Sequence, residues 1–314
     1  MVSNGSPIPG LAKSVFVVGE ALVDVTVDVN GVEHRQPGGS PMNVAFGLAR
    51  LGVPTRLMSW VGDDADGRLV AAHLRSAGVK LDDVTVAPRT ATSTARATLD
   101  AAGAATYAFD LRWDLPDGGV PPECTVIHTG SIAAVLPPGA DRVLDLYRSA
   151  APEVIRSFDP NVRPAITPDR AAVLERVEWF VDRTDVLKLS DEDAAWLHPG
   201  EDEAFVTDWA LGRGVKLFVM TRGAHGCTVA TPSHRLEQPA IPTEVVDTIG
   251  AGDAFMSGLL AGLSRWGLFD ALRRDGVGAG DLSRLAGLAT RTASLTVAQV
   301  GAQPPTWTQV RTAA

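Results

Sequence analysis

The chain has 314 residues, 45% of them hydrophobic and 21% charged, with a formal net charge of −9. Such a length suits one large α/β core or two ordinary domains, and without a basic stripe the acidic balance argues against a dedicated nucleic-acid binder. Cys124 and Cys227 stand far apart in apolar surroundings and read as buried thiols of a reducing compartment. No apolar run approaches the roughly 20 residues a membrane span needs, and "MVSNGSPIPGLAKS" has no signal-peptide pattern. A cytoplasmic location, with neither a membrane nor a nucleic acid as partner, is the expectation.

Residues 1–13 read as a flexible leader. "SVFVVGEALVD" then opens a buried strand, and "DVTVDVNGVEH" alternates in polarity around Asn30-Gly31, the pattern of a half-exposed hairpin. After "PGGSPMNVAFGLARLG" a helix is expected, with Ser40 as its cap and Pro41 as its first residue. "TRLMSWVG" reads as a strand and "DGRLVAAHLRSAGV" as a helix. The threonine-rich "TATSTARATLDAAGAATYAFD" gives two extended stretches around a turn-like "DAAG". Further on, "CTVIHTG", "PEVIRSFDPN", "DVLKLSDEDAAWL" and "VKLFVMTRGAHG" repeat one pattern, a short apolar run followed by glycine or polar residues. Strands separated by helix-length segments predict a mostly parallel sheet covered on both faces. We see one α/β domain over 14–310, with segments 21–38 and 90–112 forming a small accessory sheet.

Gly-Ala-Gly-Asp occurs twice. The first copy, Gly250–Asp253, follows the β-favouring "TEVVDT" and opens an apolar helical stretch. Strand, glycine turn and helix N-terminus in that order gather free backbone N–H groups that can receive a phosphate, and Gly250 and Gly252 leave room for its oxygens. Asp253 is then either a helix cap or the group that takes a proton from an incoming hydroxyl during phosphoryl transfer. The second copy, Gly278–Asp281, lies between two helical stretches and reads as a loop with Asp281 capping the next helix. Neither copy fits a P-loop, nor does "GSPIPGLAKS", and no G-x-G-x-x-G follows the first strand.

"DTIGAGDAF" and "PGGSPMNVAFGLARLGVPTRLMSWVGDDADG", supported by "VVGEALVD", "FDPNVRP", "KLSDEDAAWL" and "VMTRGAHG", resemble the ribokinase-like, PfkB-type carbohydrate kinases, in particular the fructokinase branch. The resemblance runs from about Val15 to Ala302. It implies a three-layer α/β/α Rossmann-like fold with a mostly parallel central sheet and a small β-sheet lid over the sugar. It also implies transfer of the ATP γ-phosphoryl group, assisted by Mg²⁺, to a sugar hydroxyl. Asp253 would be the base, and the N–H groups around Gly250, Ala251 and Gly252 the anion hole.

On the sugar side the resemblance carries over Asp24, Gly38, Gly39 and Asn43, with Phe109 in the lid lining and Arg96 and Arg163 as cations near the acceptor. On the nucleotide side it carries over Lys188, Ser190, Thr221, Gly223, Gly226 and Thr290. Relatives often have N-x-x-E where this chain reads Ser190-Asp191-Glu192-Asp193, which makes Asp193 the carboxylate for water-mediated Mg²⁺ contact. Thr290 stands where relatives carry asparagine, and Gln299-Val300 where they carry a basic pair. Asp247 and Ile249 fall in the loop that would hold a monovalent cation such as K⁺. Fructose phosphorylated on its terminal hydroxymethyl group is the leading acceptor. 2-keto-3-deoxygluconate, whose carboxylate would need Arg96 or Arg163, another sugar, or a nucleoside are alternatives, and a homodimer is compatible with the resemblance. A reading of a different class, prompted by the two departures, is a catalytically weakened sugar-binding or regulatory protein.

Overall fold

The continuous apolar runs of the sequence become inner strands because both faces of their sheet are covered, so every side chain along them must be apolar or satisfied. The computed structural model describes residues 14–82, 85–87, 90–99, 105–274 and 277–313. Its strands in chain order are β1 (Ser14–Val18), β2 (Leu22–Val27), β3 (Glu33–Gly38), β4 (Thr55–Met58), β5 (Val61–Gly62), β6 (Lys80–Leu81), β7 (Val86–Ala87), β8 (Thr94–Leu99), β9 (Ala105–Asp110), β10 (Cys124–Gly130), β11 (Ile155–Asp159), β12 (Val186–Ser190), β13 (Leu217–Thr221), β14 (Cys227–Ala230) and β15 (Arg235–Gln238). Its helices are α1 (Ser40–Arg50), α2 (Ala65–Ser76), α3 (Ser131–Val135), α4 (Gly139–Ser149), α5 (Arg170–Val181), α6 (Asp191–Leu197), α7 (Glu203–Gly212), α8 (Ala251–Arg265), α9 (Phe269–Arg273), α10 (Ala279–Val297) and α11 (Trp307–Thr312).

Nine strands form the central sheet in the order β15-β14-β13-β12-β11-β10-β1-β4-β6. Pairing is parallel from β6 to β13 and turns antiparallel only at β14 and β15. The pleat divides β1 between two cores. Val15 and Val17 join the face covered by α1, α8 and α10, while Phe16 and Val18 join the face covered by α4, α5 and α7. This is the three-layer α/β/α architecture that the sequence pattern implies.

The two accessory segments do pair. β3-β2-β8-β9 make a separate four-stranded sheet, in which β2 meets β3 antiparallel as a hairpin and β8 in parallel. At the hairpin tip Asp28 Oδ1 accepts the N–H groups of Asn30 (2.9 Å) and Val32 (2.8 Å), and Gly31 supplies a φ of 80°. The "DAAG" turn lies outside the described residues.

Four expectations need correction. Ser40 does not cap α1: Gly39 does, at φ 111°, because a side chain there would press on the Glu20 carbonyl, 2.6 Å from an ideal Cβ. The run "TRLMSWVG" breaks into β4 and β5, since Val61 and Gly62 pair with β7 instead of the main sheet. "TEVVDT" forms no strand; the chain leaves the sheet edge at β15, and Val246 and Asp247 donate to the Val297 carbonyl at the end of α10. In the second glycine turn Gly278 is the cap, and Asp281, inside the first turn of α10, pairs with Arg284 at 3.1 Å.

Phe158 on β11 is fully buried and stacks on Phe180 of α5 with ring centroids 4.8 Å apart. Phe158→Ala is expected to cost about 3–5 kcal/mol, read as a lower urea midpoint with an unchanged m-value; a midpoint within error of the parent would contradict this packing.

Candidate active site

Parallel strands direct their carboxyl ends to one edge of the sheet, and loops leaving that edge meet. Asp253 is one of the buried carboxylates there. It sits in the first turn of α8, which Gly250 begins in the left-handed conformation at φ 75°. A side chain at Gly250 would strike Ala302, whose Cβ is 2.5 Å from the ideal position. Ala251 N–H donates to the Thr248 carbonyl. Among the described residues the N–H groups of Gly252 and Asp253 have no protein acceptor. The two unpaired N–H groups at the start of α8 are therefore those of Gly252 and Asp253, one residue later than the sequence suggested with Ala251.

Two residues of α1 grip the Asp253 carboxylate. Ser40 Oγ donates to Oδ1 at 2.6 Å and Asn43 Nδ2 donates to Oδ2 at 2.8 Å. Behind Ser40, Asn161 Nδ2 donates to Ser40 Oγ at 2.8 Å. Because the Asn161 amide nitrogen can only donate, the Ser40 proton is committed to Asp253. Asn161 holds a positive φ of 39°, a sparsely populated conformation that persists where surrounding structure over-determines it. Burial pushes the Asp253 carboxyl above the usual range; the hydrogen bonds from Ser40 and Asn43 and the charges of Lys188 and Arg163 pull it back. Neither Ser40 nor Asn161 stood out in the sequence, since a serine ahead of a proline already has an explanation as a cap.

Lys188 provides the buried cation. Its Nζ is 2.8 Å from Asp159 Oδ2, with both side chains almost fully enclosed, and 3.3 Å from where a Cβ on Gly252 would lie. The ammonium thus sits beside the first turn of α8 and adds to its partial positive charge. Burial alone would lower its pKa, but the carboxylates of Asp159, Asp193 and Asp253 outweigh that and raise it, so it stays charged. Asp159 is pushed up to about 6 by burial, with Lys188 pulling the other way.

Opposite the Asp253 carboxylate lies the smaller sheet, the lid. Asp24 on β2 is open to the cleft yet walled by protein behind it, and burial pushes its carboxyl up to about 6 against the pull of Arg163. Gly38 passes so close that an ideal Cβ would lie 2.1 Å from Asp24 Oδ2. Arg163, exposed just after β11, bonds the Asn161 and Val162 carbonyls and acts electrostatically on Asp24, Asp253 and Glu20. Glu20, at the end of β1, is buried and raised to about 7, and its Oε2 accepts the Ala133 N–H at 3.1 Å.

Arg96 does not join them. In the lid register Asp24 pairs with Ala95, which pairs in turn with Phe109, whereas Arg96 pairs with Val25. Arg96 therefore shares the face that the buried valines of β2 turn to the core, and it binds Glu33 at 2.8 Å. Phe109 stays on the Asp24 face, 38% exposed.

On the nucleotide side, Ser190 and Asp193 form a capping box at α6. Both Asp193 oxygens accept backbone N–H groups, from Val162 at 2.8 Å and Ser190 at 3.0 Å. Thr221 ends β13, and Gly223 and Gly226 shape the turn after it with φ of 49° and 85°. Glu203 of α7 pins that turn by accepting from Arg222, Thr228 and Arg235. Thr290 lies between α10 and β14, its hydroxyl 4.0 Å from Cys227 Sγ and only 7% of the residue exposed. Asp247 closes its loop by accepting Ile249 N–H at 3.0 Å and Gly301 N–H at 2.8 Å. Among the described residues no helix is long and apolar enough to cross a membrane.

Comparison with known proteins finds relatives along nearly the whole chain. The family model described as pfkB family carbohydrate kinase matches residues 12–309. A fructokinase of Rhizobium leguminosarum bv. trifolii is 34% identical over 79% of this chain and 79% of its own. One from Salmonella typhimurium is 33% identical over 81% and 85%. Among solved structures, a Xylella fastidiosa fructokinase with bound ATP superposes with a TM-score of 0.82 at 23% identity, covering 96% of this chain and 98% of its own. A Vibrio cholerae O395 fructokinase double mutant with fructose, ADP and potassium ion bound gives 0.78 at 27% identity, covering 94% and 95%. Matched along nearly its whole length, the chain belongs to the pfkB family of carbohydrate kinases.

Proposed function

We propose that this carbohydrate kinase transfers the γ-phosphoryl group of ATP to the terminal hydroxymethyl group of fructose. The observation that carries the reading is Asp253, held by Ser40 and Asn43 beside two free N–H groups at the start of α8 and facing Asp24 across the cleft. The acceptor oxygen attacks the γ-phosphorus, its proton passes to Asp253, and the bond from phosphorus to the bridging oxygen of the departing ADP breaks. Gly252 and Asp253 N–H, with Lys188 beside them, stabilise charge on the transferring oxygens. Asp24 accepts a sugar hydroxyl, and the lid keeps water, the competing nucleophile, away. With Arg96 on the other face, Arg163 is, of these two arginines, the one placed to meet an acceptor, and Asp24, Asp253 and Glu20 already lie around it. That balance favours a neutral sugar over a sugar acid, and fructokinases among the relatives support fructose.

Among the described residues no three His, Cys, Asp or Glu side chains converge as a resident metal site would require. A magnesium ion arriving with nucleotide phosphates needs only one or two carboxylates beyond phosphate and water. Asp159 Oδ1, buried without a hydrogen-bond partner, and Asp193 are the carboxylates we assign to its hydration shell, where it would offset phosphate charge. We assign a monovalent cation to the Asp247–Ile249 loop, a choice supported by the potassium ion described in the V. cholerae enzyme.

A coupled ADP-release assay over fructose, 2-keto-3-deoxygluconate, ribose and nucleosides tests the acceptor; absence of fructose turnover in Mg²⁺ and K⁺ would reject it. Asp253→Asn should lower kcat by about 10²–10⁴ while fructose binding changes little, and an undiminished kcat would remove Asp253 from the mechanism. Activity requires ionised Asp253, so it should be lost as pH falls through a pKa that lies above the ordinary value of about 3.9. Ser40→Ala removes a bond that lowers this pKa and should move the acid limb of kcat upward by about one pH unit, a hydrogen bond to a charged group contributing ~1.5–3 kcal/mol and one unit being about 1.4. A stationary limb would show that Ser40 does not tune the base.

A further inference from the structure

Beyond the Asp24–Asp253 cradle, a cavity of about 550 Å³ lies at the same edge of the sheet. It falls in the range of pockets that hold whole small ligands, roughly 300–1,000 Å³. Trp60, Phe109, Trp113 and Ile166 are among its walls, with Arg112 and Asp114 beside them.

Three links tie its walls to the acceptor cleft. Phe109 stands on the lid face that also carries Asp24. Ile166 N–H donates to the Arg163 carbonyl at 2.9 Å, which ties that wall to the cation beside Asp24 and Asp253. Trp113 Nε1 donates to the Ala133 carbonyl at 3.1 Å, while Ala133 N–H is held by Glu20. The Trp113 ring is locked from the other side by Gly139, where a Cβ would lie 2.6 Å from the indole.

We propose that the acceptor cleft continues into this cavity as a second subsite, and that it takes a neutral sugar ring joined to the phosphorylated sugar through the anomeric carbon. The inference rests on the sugar-kinase reading above. Aromatic faces carry negative potential and offer broad apolar area, which suits the aliphatic C–H face of a pyranose or furanose. Arg112 supplies donors and Asp114 an acceptor for its hydroxyls, both being exposed beside the buried Trp113. An ionised ring is disfavoured: Arg112 is already paired with Asp110 at 3.2 Å, and Asp114 repels anions. A link through the anomeric carbon leaves the terminal hydroxymethyl group free to reach Asp253. A monosaccharide anchored at Asp24 and Asp253 would leave these aromatic walls to water.

Isothermal titration calorimetry without nucleotide, and the ADP-release assay, would compare D-fructose with sucrose and inulobiose. At least one disaccharide is expected to exceed fructose tenfold or more in affinity and in kcat/KM. Trp60→Ala should cut that ratio at least tenfold and Trp60→Phe should restore most of it. Fructose turnover with no preference for either disaccharide overturns the second subsite and leaves the fructokinase reading standing. Tighter disaccharide binding that is lost in Trp60→Ala, with no sugar turned over, upholds the subsite and rejects the kinase acceptor. Binding of neither disaccharide overturns it whatever the turnover.

Discussion

A carboxylate cannot be taken out of water and remain useful as a base unless something nearby keeps it ionised. Asp253 meets that condition through hydrogen bonds from Ser40 and Asn43 on its two oxygens and the charge of Lys188 close by. Two of these partners are themselves held: Ser40 by Asn161, Lys188 by Asp159. The pair Lys188–Asp159 is not a device for stability, since desolvating two ions generally offsets their attraction. Its value is that a positive charge is fixed beside the N-terminus of α8 without waiting for solvent to reorganise.

The sheet explains how such a cluster can exist. Asp159 ends β11, Lys188 lies within β12, Ser40 opens α1 and Asp253 opens α8, yet all reach one edge because the strands run parallel. The rest of the chain keeps these termini in place. Phe16, Phe158, Phe180 and Phe218 fill the core on one face, and the small residues of α8 let α1 and α10 approach on the other. Gly258 shows how closely: a Cβ there would lie 2.7 Å from Thr292 Oγ1.

The lid obeys a different rule. Its strands have one face toward the core and one toward the cleft, so the period of two decides the role of each residue. Val23, Val25 and Val27 take the buried face of β2, which commits Asp24 to the cleft. The same pleat, carried across the β2–β8 ladder, turns Arg96 away and Phe109 inward. One residue of register would exchange them.

Six strands of the central sheet (β1, β4 and β10 to β13), the hairpin at Asn30-Gly31, the helix after the double glycine and the setting of the second Gly-Ala-Gly-Asp turn ahead of a helix were legible in the sequence, because each depends on local chemistry: apolar runs, turn residues and helix periodicity; β6, β14 and β15 were not. Asp253 was legible for the same reason, as an acidic residue in a glycine turn. Ser40, Asn161 and Lys188 as partners of that turn were not, and neither was the opposed facing of Arg96 and Phe109. Those depend on which strand lies beside which and in what register. Residues 40, 161, 188 and 253 are brought together only when both faces of the sheet are packed, so the environment of the Asp253 carboxylate belongs to the tertiary structure alone.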